Sequence, residues 1–429
     1  LATETINFEE RRVKADVPTV VVDVFINAMK VVLLFFVAWS VVGAIALQVR
    51  GELISGAQWR DVLTGGIVLG AMFGLVALGY SMVYGILGFI NFAHGEVFMT
   101  GMFGAMFMAH WTARNGLLEN ATPLAMLLIV VAAMIVSATV AVTVEKIAYR
   151  PLRGAPRLIP LITSIGVSFF LQYAVSGLFG TAVRRFPELP ESMQQRFSFL
   201  GLLINASQLT VFIVTAVAVV ALWWFVTRSK TGRAIRAVAE DKEIAALMGI
   251  DVDRTIVMTF MVGGVMAGVS GAMWAFLYKN VFFLSGFLPG IKAFTAAVLG
   301  GIGNLPGALL GGMTLGLVEA AGPTMLTAYR WAIPDVLAYV VGVASLAIAA
   351  WGFMRLRNRI IAQTSTNVSM VVLGLLFGVM SFTVLPGFHV TIPGTSQLKD
   401  AIAFIVLVGV LMIRPVGLLG ERLAVEERG

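Results

Sequence analysis

Apolar runs of about 20 residues recur from one end of this chain to the other, and about 20 is the length an α-helix needs to cross a bilayer's hydrocarbon. In that medium every backbone N–H and C=O must find its partner inside the protein, which leaves helices for runs of this kind. The expected fold class is therefore all-α: a polytopic helical membrane protein with about ten to eleven transmembrane spans, including a broken or re-entrant segment near 292–320. Composition agrees, with 59% hydrophobic and only 12% charged residues, against about 25% charged in soluble domains.

Several function classes fall away at once. There is no Cys, so disulfides, thiol catalysis and Cys-ligated metals are excluded. His94, His110 and His389 lie far apart with no ligand spacing, and no metal site is expected. The net charge of +7 fits basic residues flanking spans better than nucleic-acid binding. No Gly-x-x-x-x-Gly-Lys-Ser/Thr phosphate loop occurs, so any nucleotide hydrolysis belongs to another chain.

In chain order, the polar start reads as a cytoplasmic tail and 20–47 as a first span. Further spans are expected at about 62–86, 123–147, 158–179, 208–227, 256–278, 333–353, 368–385 and 401–413. Between two of them sits an island of charge, 228–254, where Ile235, Val238, Ala245, Leu247 and Met248 recur at helical spacing and Gly249 suits a helix stop. It reads either as a solvated surface helix or as a segment that something touches. With the amino terminus and the island placed in the cytoplasm, about two-thirds of the 30 Lys and Arg fall inside, as the positive-inside rule requires. Both termini are then cytoplasmic. The Gly300–Gly307 turn becomes the bottom of a re-entrant hairpin, or alternatively a tight glycine-rich helix contact.

Three segments, GLVALGYSMVYGILGFINFAHGEVFMTG (74–101), GRAIRAVAEDKEIAALMGIDVDR (232–254) and KAFTAAVLGGIGNLPGALLGG (292–312), together resemble one family. KDAIAFIVLVGVLMIRPVGLLG (399–420) closes the chain in the same style. They resemble the LivH/LivM permeases, membrane subunits of ABC importers for branched-chain amino acids, and lie closer to the LivH type. The resemblance implies a permease core over 61–320. Residues 1–60 would add a tail and an extra span, 321–398 an inserted pair of spans, and 399–429 the last span with a cytoplasmic tail. It also implies a bacterial inner-membrane location. The implied partners are a LivM-type second permease or a second copy, two ATPase subunits of LivG/LivF type and a periplasmic solute-binding protein. ATP and Mg would be used by those ATPases, with no cofactor bound by this chain.

Under this resemblance the island 228–254 would couple to the ATPases, with Ala239, Glu240, Ala245, Ala246 and Gly249 at its core. A zwitterionic substrate needs groups for a carboxylate and an ammonium, and helix N-termini and buried acids supply them. Asn91, His94, Glu96, Gly300, Gly301, Gly303 and Asn304 are the candidates for the pathway. Asn91 would otherwise cap the next helix, and Glu145 and Lys146 are expected at an interfacial helix end. Urea, short amides or other amino acids are alternative cargoes. An ATP-independent channel or secondary transporter is the rival mechanism.

Overall fold

The computed structural model describes residues 27, 56–156, 158–199, 202–325, 330–332, 335–357, 364–383, 389–391, 400, 404–405, 407–411, 414 and 417–420. The expected amino-terminal tail and the first span lie outside the described residues, Asn27 apart, and the last span is described only in part. The apolar runs form helices α1 (Gly56–Leu87), α2 (His94–Arg114), α3 (Thr122–Val144), α4 (Leu158–Phe179) and α5 (Ala206–Arg228). The charged island holds α6 (Lys230–Glu240) and α7 (Lys242–Leu247). Then come α8 (Val252–Tyr278), α9 (Phe287–Gly300), α10 (Leu305–Met325), α11 (Asp335–Arg357) and α12 (Thr364–Thr383). Six helices among the described residues are long and apolar enough to cross a membrane: Trp59–Leu87, Thr122–Leu152, Leu158–Phe179, Ala206–Arg228, Val252–Tyr278 and Leu305–Gly322.

Packing divides the chain into two units. One comprises Leu1–Leu53 and Pro323–Leu398. Within it α11 and α12 lie antiparallel, pressed together where Gly352, Gly374 and Gly378 present no side chain to the facing helix. The strand pair β1 (Arg330–Ala332) and β2 (His389–Thr391) belongs to the same unit.

The other unit, Ile54–Gly322 with Lys399–Gly429, is built around α2. Residues 94–106 of that helix are buried, enclosed chiefly by α3, α8 and α9, with α1 and α4 also in contact. Apolar side chains gain little by leaving lipid, so such a centre depends on close van der Waals packing and interhelical hydrogen bonds. The chain supplies both. A Cβ on Gly268 would stand 2.6 Å from the Ala133 carbonyl oxygen. Ser137 donates to the Val97 carbonyl and Ser270 to that of Met72, each at 2.9 Å.

Two further features set up the polar interior. α1 ends at Gly88, in the left-handed region with φ 72°, and Gly88 N donates to the Tyr84 carbonyl. The chain turns over Phe89–Ala93 and re-enters as α2. The second feature is α9, whose 14 residues span about 21 Å at 1.5 Å each, short of the roughly 30 Å hydrocarbon core. α9 gives way at Gly301–Asn304 to a turn that leads into α10. The stretch expected to be broken near 292–320 holds this helix pair, which begins five residues earlier at Phe287.

Candidate functional site

The polar interior is assembled where α2 begins. Glu96 is 1% exposed, and its Oε1 accepts from Gln172 Nε2 at 2.6 Å and Ser168 Oγ at 3.3 Å. Its Oε2 has no hydrogen-bond partner among the described residues. Ser164, Ser168 and Gln172 recur every fourth position of α4, so one stripe of an otherwise lipid-suited helix faces the start of α2, the last two of them reaching this carboxylate. Ser164 Oγ also receives the Phe92 N–H at 3.3 Å, fixing the turn before α2.

His94 lies beside Glu96 in sequence but packs differently. Its ring meets Tyr80 edge-on, with centroids 4.7 Å apart. Gly79 leaves room for it, since a Cβ there would stand 2.4 Å from Nε2. That nitrogen has no hydrogen-bond partner among the described residues. Asn91 is buried and accepts from Tyr149 Oη at 2.6 Å. It does not cap α2, whose first flanking residue is Ala93 with no side-chain cap.

Tyr149 reaches Asn91 because the end of α3 loosens into a π-turn, Glu145–Tyr149, which turns both Glu145 and Tyr149 inward. Glu145 is fully buried and paired with Arg153, which also pairs with Asp253 in the first turn of α8. Arg150 adds a second contact to Asp253 at 2.9 Å. Glu145, expected at an interfacial helix end, is enclosed by the protein there: a buried carboxylate needs its own cation, and Arg153 is that cation. Lys146 is exposed.

The charged island folds as two short helices with distinct caps. Ser229 Oγ accepts from Gly232 N, and Asp241 accepts from Glu243 N and Ile244 N at 2.8 and 2.9 Å. Gly232, Ile235 and Val238 turn inward on α6. On α7 only Ala245 is buried, while Ile244, Leu247 and Met248 are 59%, 86% and 78% exposed. Gly249 closes the helix with φ 82°.

The α9–α10 hairpin carries the remaining charges. Lys292 Nζ donates to Glu319 Oε1 at 2.7 Å, pairs with Asp400 Oδ1 at 2.5 Å, and stands 5.8 Å from the Phe73 ring centroid. At the other end, Gly301 (φ 104°) and Gly303 (φ 92°) make the turn in a conformation that side chains disfavour. Its polar groups are satisfied within the chain. Gly303 N donates to Ser81 Oγ, Asn304 caps α10 through Gly307 N, and Leu418 and Leu419 donate to the Leu299 and Gly300 carbonyls.

Residues 62–350 match the family described as branched-chain amino acid transport system / permease component, which is more than half of the chain. The chain belongs to this family. BraD of Pseudomonas aeruginosa, a high-affinity branched-chain amino acid transport system permease protein, is 44% identical over 267 residues, covering 62% of this chain and 86% of BraD. The LivH proteins of Salmonella typhimurium and Escherichia coli are each 39% identical, over 295 and 298 residues, with 67% of this chain and 93% of each LivH covered. The permease is thus a multi-pass membrane transport subunit and not an ATPase.

Among the candidate pathway residues of this permease, Asn91, His94 and Glu96 come together at the start of α2. Gly300, Gly301, Gly303 and Asn304 do not join them, lying at the far end of α9 in a packed turn. The end of α9 that does reach the α2 start is Gly286, where a Cβ would stand 2.2 Å from the Gly95 carbonyl oxygen. Of the coupling candidates, Ala239, Glu240, Ala246 and Gly249 are exposed and Ala245 is buried. Sequence reasoning missed Ser168, Gln172 and Tyr149, although two polar residues four apart inside an apolar run were a visible signal.

Proposed function

We propose that this permease moves branched-chain amino acids into the bacterial cytoplasm as the LivH-type half of an ABC importer in the inner membrane. The 44% identity to BraD across 86% of that protein carries the reading. The complete spanning set is taken as ten to eleven segments with both termini cytoplasmic. The core is 61–320 with 399–429, to which 1–60 and 321–398 add spans. The division of the packing near Leu53, Gly322 and Lys399 supports this arrangement.

The partners are a LivM-type permease, two LivG/LivF-type ATPases that use ATP and Mg, and a periplasmic binding protein. The chain binds no cofactor of its own. Contact with the ATPases falls to the island 228–254. Its apolar residues Ile244, Leu247 and Met248 are exposed among the described residues, and a short helix seated by apolar anchors and rimmed by charge is a standard mode of groove recognition. Ala239, Glu240, Ala246 and Gly249 flank that patch, and Ala245 seats α7 on its own protein.

ATP-dependent uptake of labelled leucine by proteoliposomes containing the full assembly tests the reading, with labelled urea in parallel. Leucine uptake that requires ATP and binding protein supports it. Urea uptake alone would replace the cargo, and uptake indifferent to ATP would remove the importer assignment. Leu247→Asp and Glu240→Lys, both on the surface, should leave the permease inserted and uncouple ATP hydrolysis from uptake. Gly249→Trp would be a poorer probe, because its φ of 82° adds backbone strain.

A further inference from the structure

A cavity of about 60 Å³ lies between α2, α4 and α9, lined by Tyr80, Phe92, Glu96, Ser168, Phe169 and Gly286 among others. Two groups of opposite sign meet in it. Glu96 is almost wholly buried, Gln172 and Ser168 hold its Oε1, and its Oε2 is unpartnered. The N-terminus of α9 stands against that free oxygen, since a Cβ on Gly286 would lie 2.9 Å from Oε2. A helix N-terminus carries partial positive charge and attracts anions. A carboxylate kept in an apolar interior is costly unless paired, and here one oxygen remains available.

We propose that this cavity is the polar end of a subsite for a zwitterionic α-amino acid, in which Glu96 takes the ammonium and the start of α9 takes the carboxylate. The inference rests on the amino-acid importer reading above. A lone cation would be opposed by the α9 terminus and a lone anion by Glu96, whereas a molecule carrying both charges satisfies each. Size supports the same division. About 60 Å³ seats an ammonium with a few waters, each needing about 10–15 Å³ of such volume, and not an aliphatic side chain as well. The aliphatic side chain leaves over a lip formed by Ile165, Phe169 and Phe287, apolar residues that are 40%, 49% and 42% exposed. Admitting a complete substrate therefore requires α4 and α9 to part, as an alternating-access step would do.

The test uses the complete assembly in proteoliposomes and measures both leucine uptake and the ATPase activity stimulated by binding protein. Glu96→Gln keeps the size and the hydrogen bonds to Oε1 but removes the charge. It should lower leucine uptake by about tenfold or more while stimulated ATPase stays within about twofold, and Glu96→Asp should recover most of the loss. Because the chain has no Cys, Phe169→Cys gives this subunit a single reporter, at the lip, whose labelling is read on this subunit's band. Its alkylation by N-ethylmaleimide should slow when leucine and binding protein are present with ATP.

Wild-type uptake of leucine together with unchanged uptake by Glu96→Gln would overturn the subsite and leave the importer reading intact. Absence of ATP-dependent leucine uptake by the wild type would overturn both. Should Glu96→Gln fail to assemble, the reporter decides: alkylation unaffected by leucine would make Glu96 a structural residue and overturn the subsite, and protection would uphold it.

Discussion

Gly286→Ala is the smallest change that tests how α9 meets α2. A Cβ at this position would stand 2.2 Å from the Gly95 carbonyl oxygen and 2.9 Å from Glu96 Oε2. Ordinary contact begins near 3.4 Å, so the two backbones must separate by about 1.2 Å, and a gap of that size forfeits much of the dispersion energy along the contact. The oxygen is backbone, so rotamer change offers no escape, and Gly290, whose own Cβ would stand 2.6 Å from Gly95 Cα, allows no slide along the helix. Overpacking of this kind costs about 1–3 kcal/mol. Gly166→Ala is the control, since nothing lies within 4 Å of a Cβ there and Ala favours a helix interior by up to about 1 kcal/mol. Thermal unfolding of the purified assembly in detergent should show Gly286→Ala clearly destabilised and Gly166→Ala neutral or stabilised. Equal midpoints for the two would refute the close crossing of α2 and α9.

Other perturbations separate buried from exposed polar contacts. Tyr149→Phe leaves Asn91 Oδ1 buried without its donor, and should lower stability by about 1–3 kcal/mol in the same unfolding assay. Arg153→Ala strands the fully buried Glu145 and should cost about 3–5 kcal/mol. Asp253→Asn, at a side chain 57% exposed, should cost no more than about 1 kcal/mol. Lys292→Met should destabilise more than the combined change Lys292→Met with Glu319→Leu, because the single change strands the buried Glu319 whereas the double change strands only Asp400, whose side chain is 36% exposed. A double-mutant cycle on thermal midpoints reads that difference.

The spans were legible wherever hydropathy alone decides them. α4 runs from Leu158 to Phe179, the bounds its apolar run implies. Errors arose where polar residues do helical work. α8 begins at Val252, four residues before its apolar run, because Asp251 accepts the Arg254 N–H and draws charged residues into the first turn. The island reads as one amphipathic stretch in sequence, yet Asp241 stops α6 and starts α7, so Leu247 and Met248 face out while Ile235 and Val238 face in. Glu96 was visible as an acid beside an apolar segment. Its partners on α4 and the approach of Gly286 are long-range facts that no local pattern encodes.

The stripe of α4 has one more consequence. Its buried residues are Pro160, Ser164, Ser168, Gln172 and Val175, so polar contacts are a large part of what attaches this helix to the rest of the permease. In lipid such contacts average about 0.6 kcal/mol each, and three of them amount to roughly 2 kcal/mol. Close packing adds to them, as where the Phe103 and Phe179 rings stack with centroids 5.3 Å apart. α4 is thus fastened to the permease along one narrow seam, like a plank pegged down a single edge.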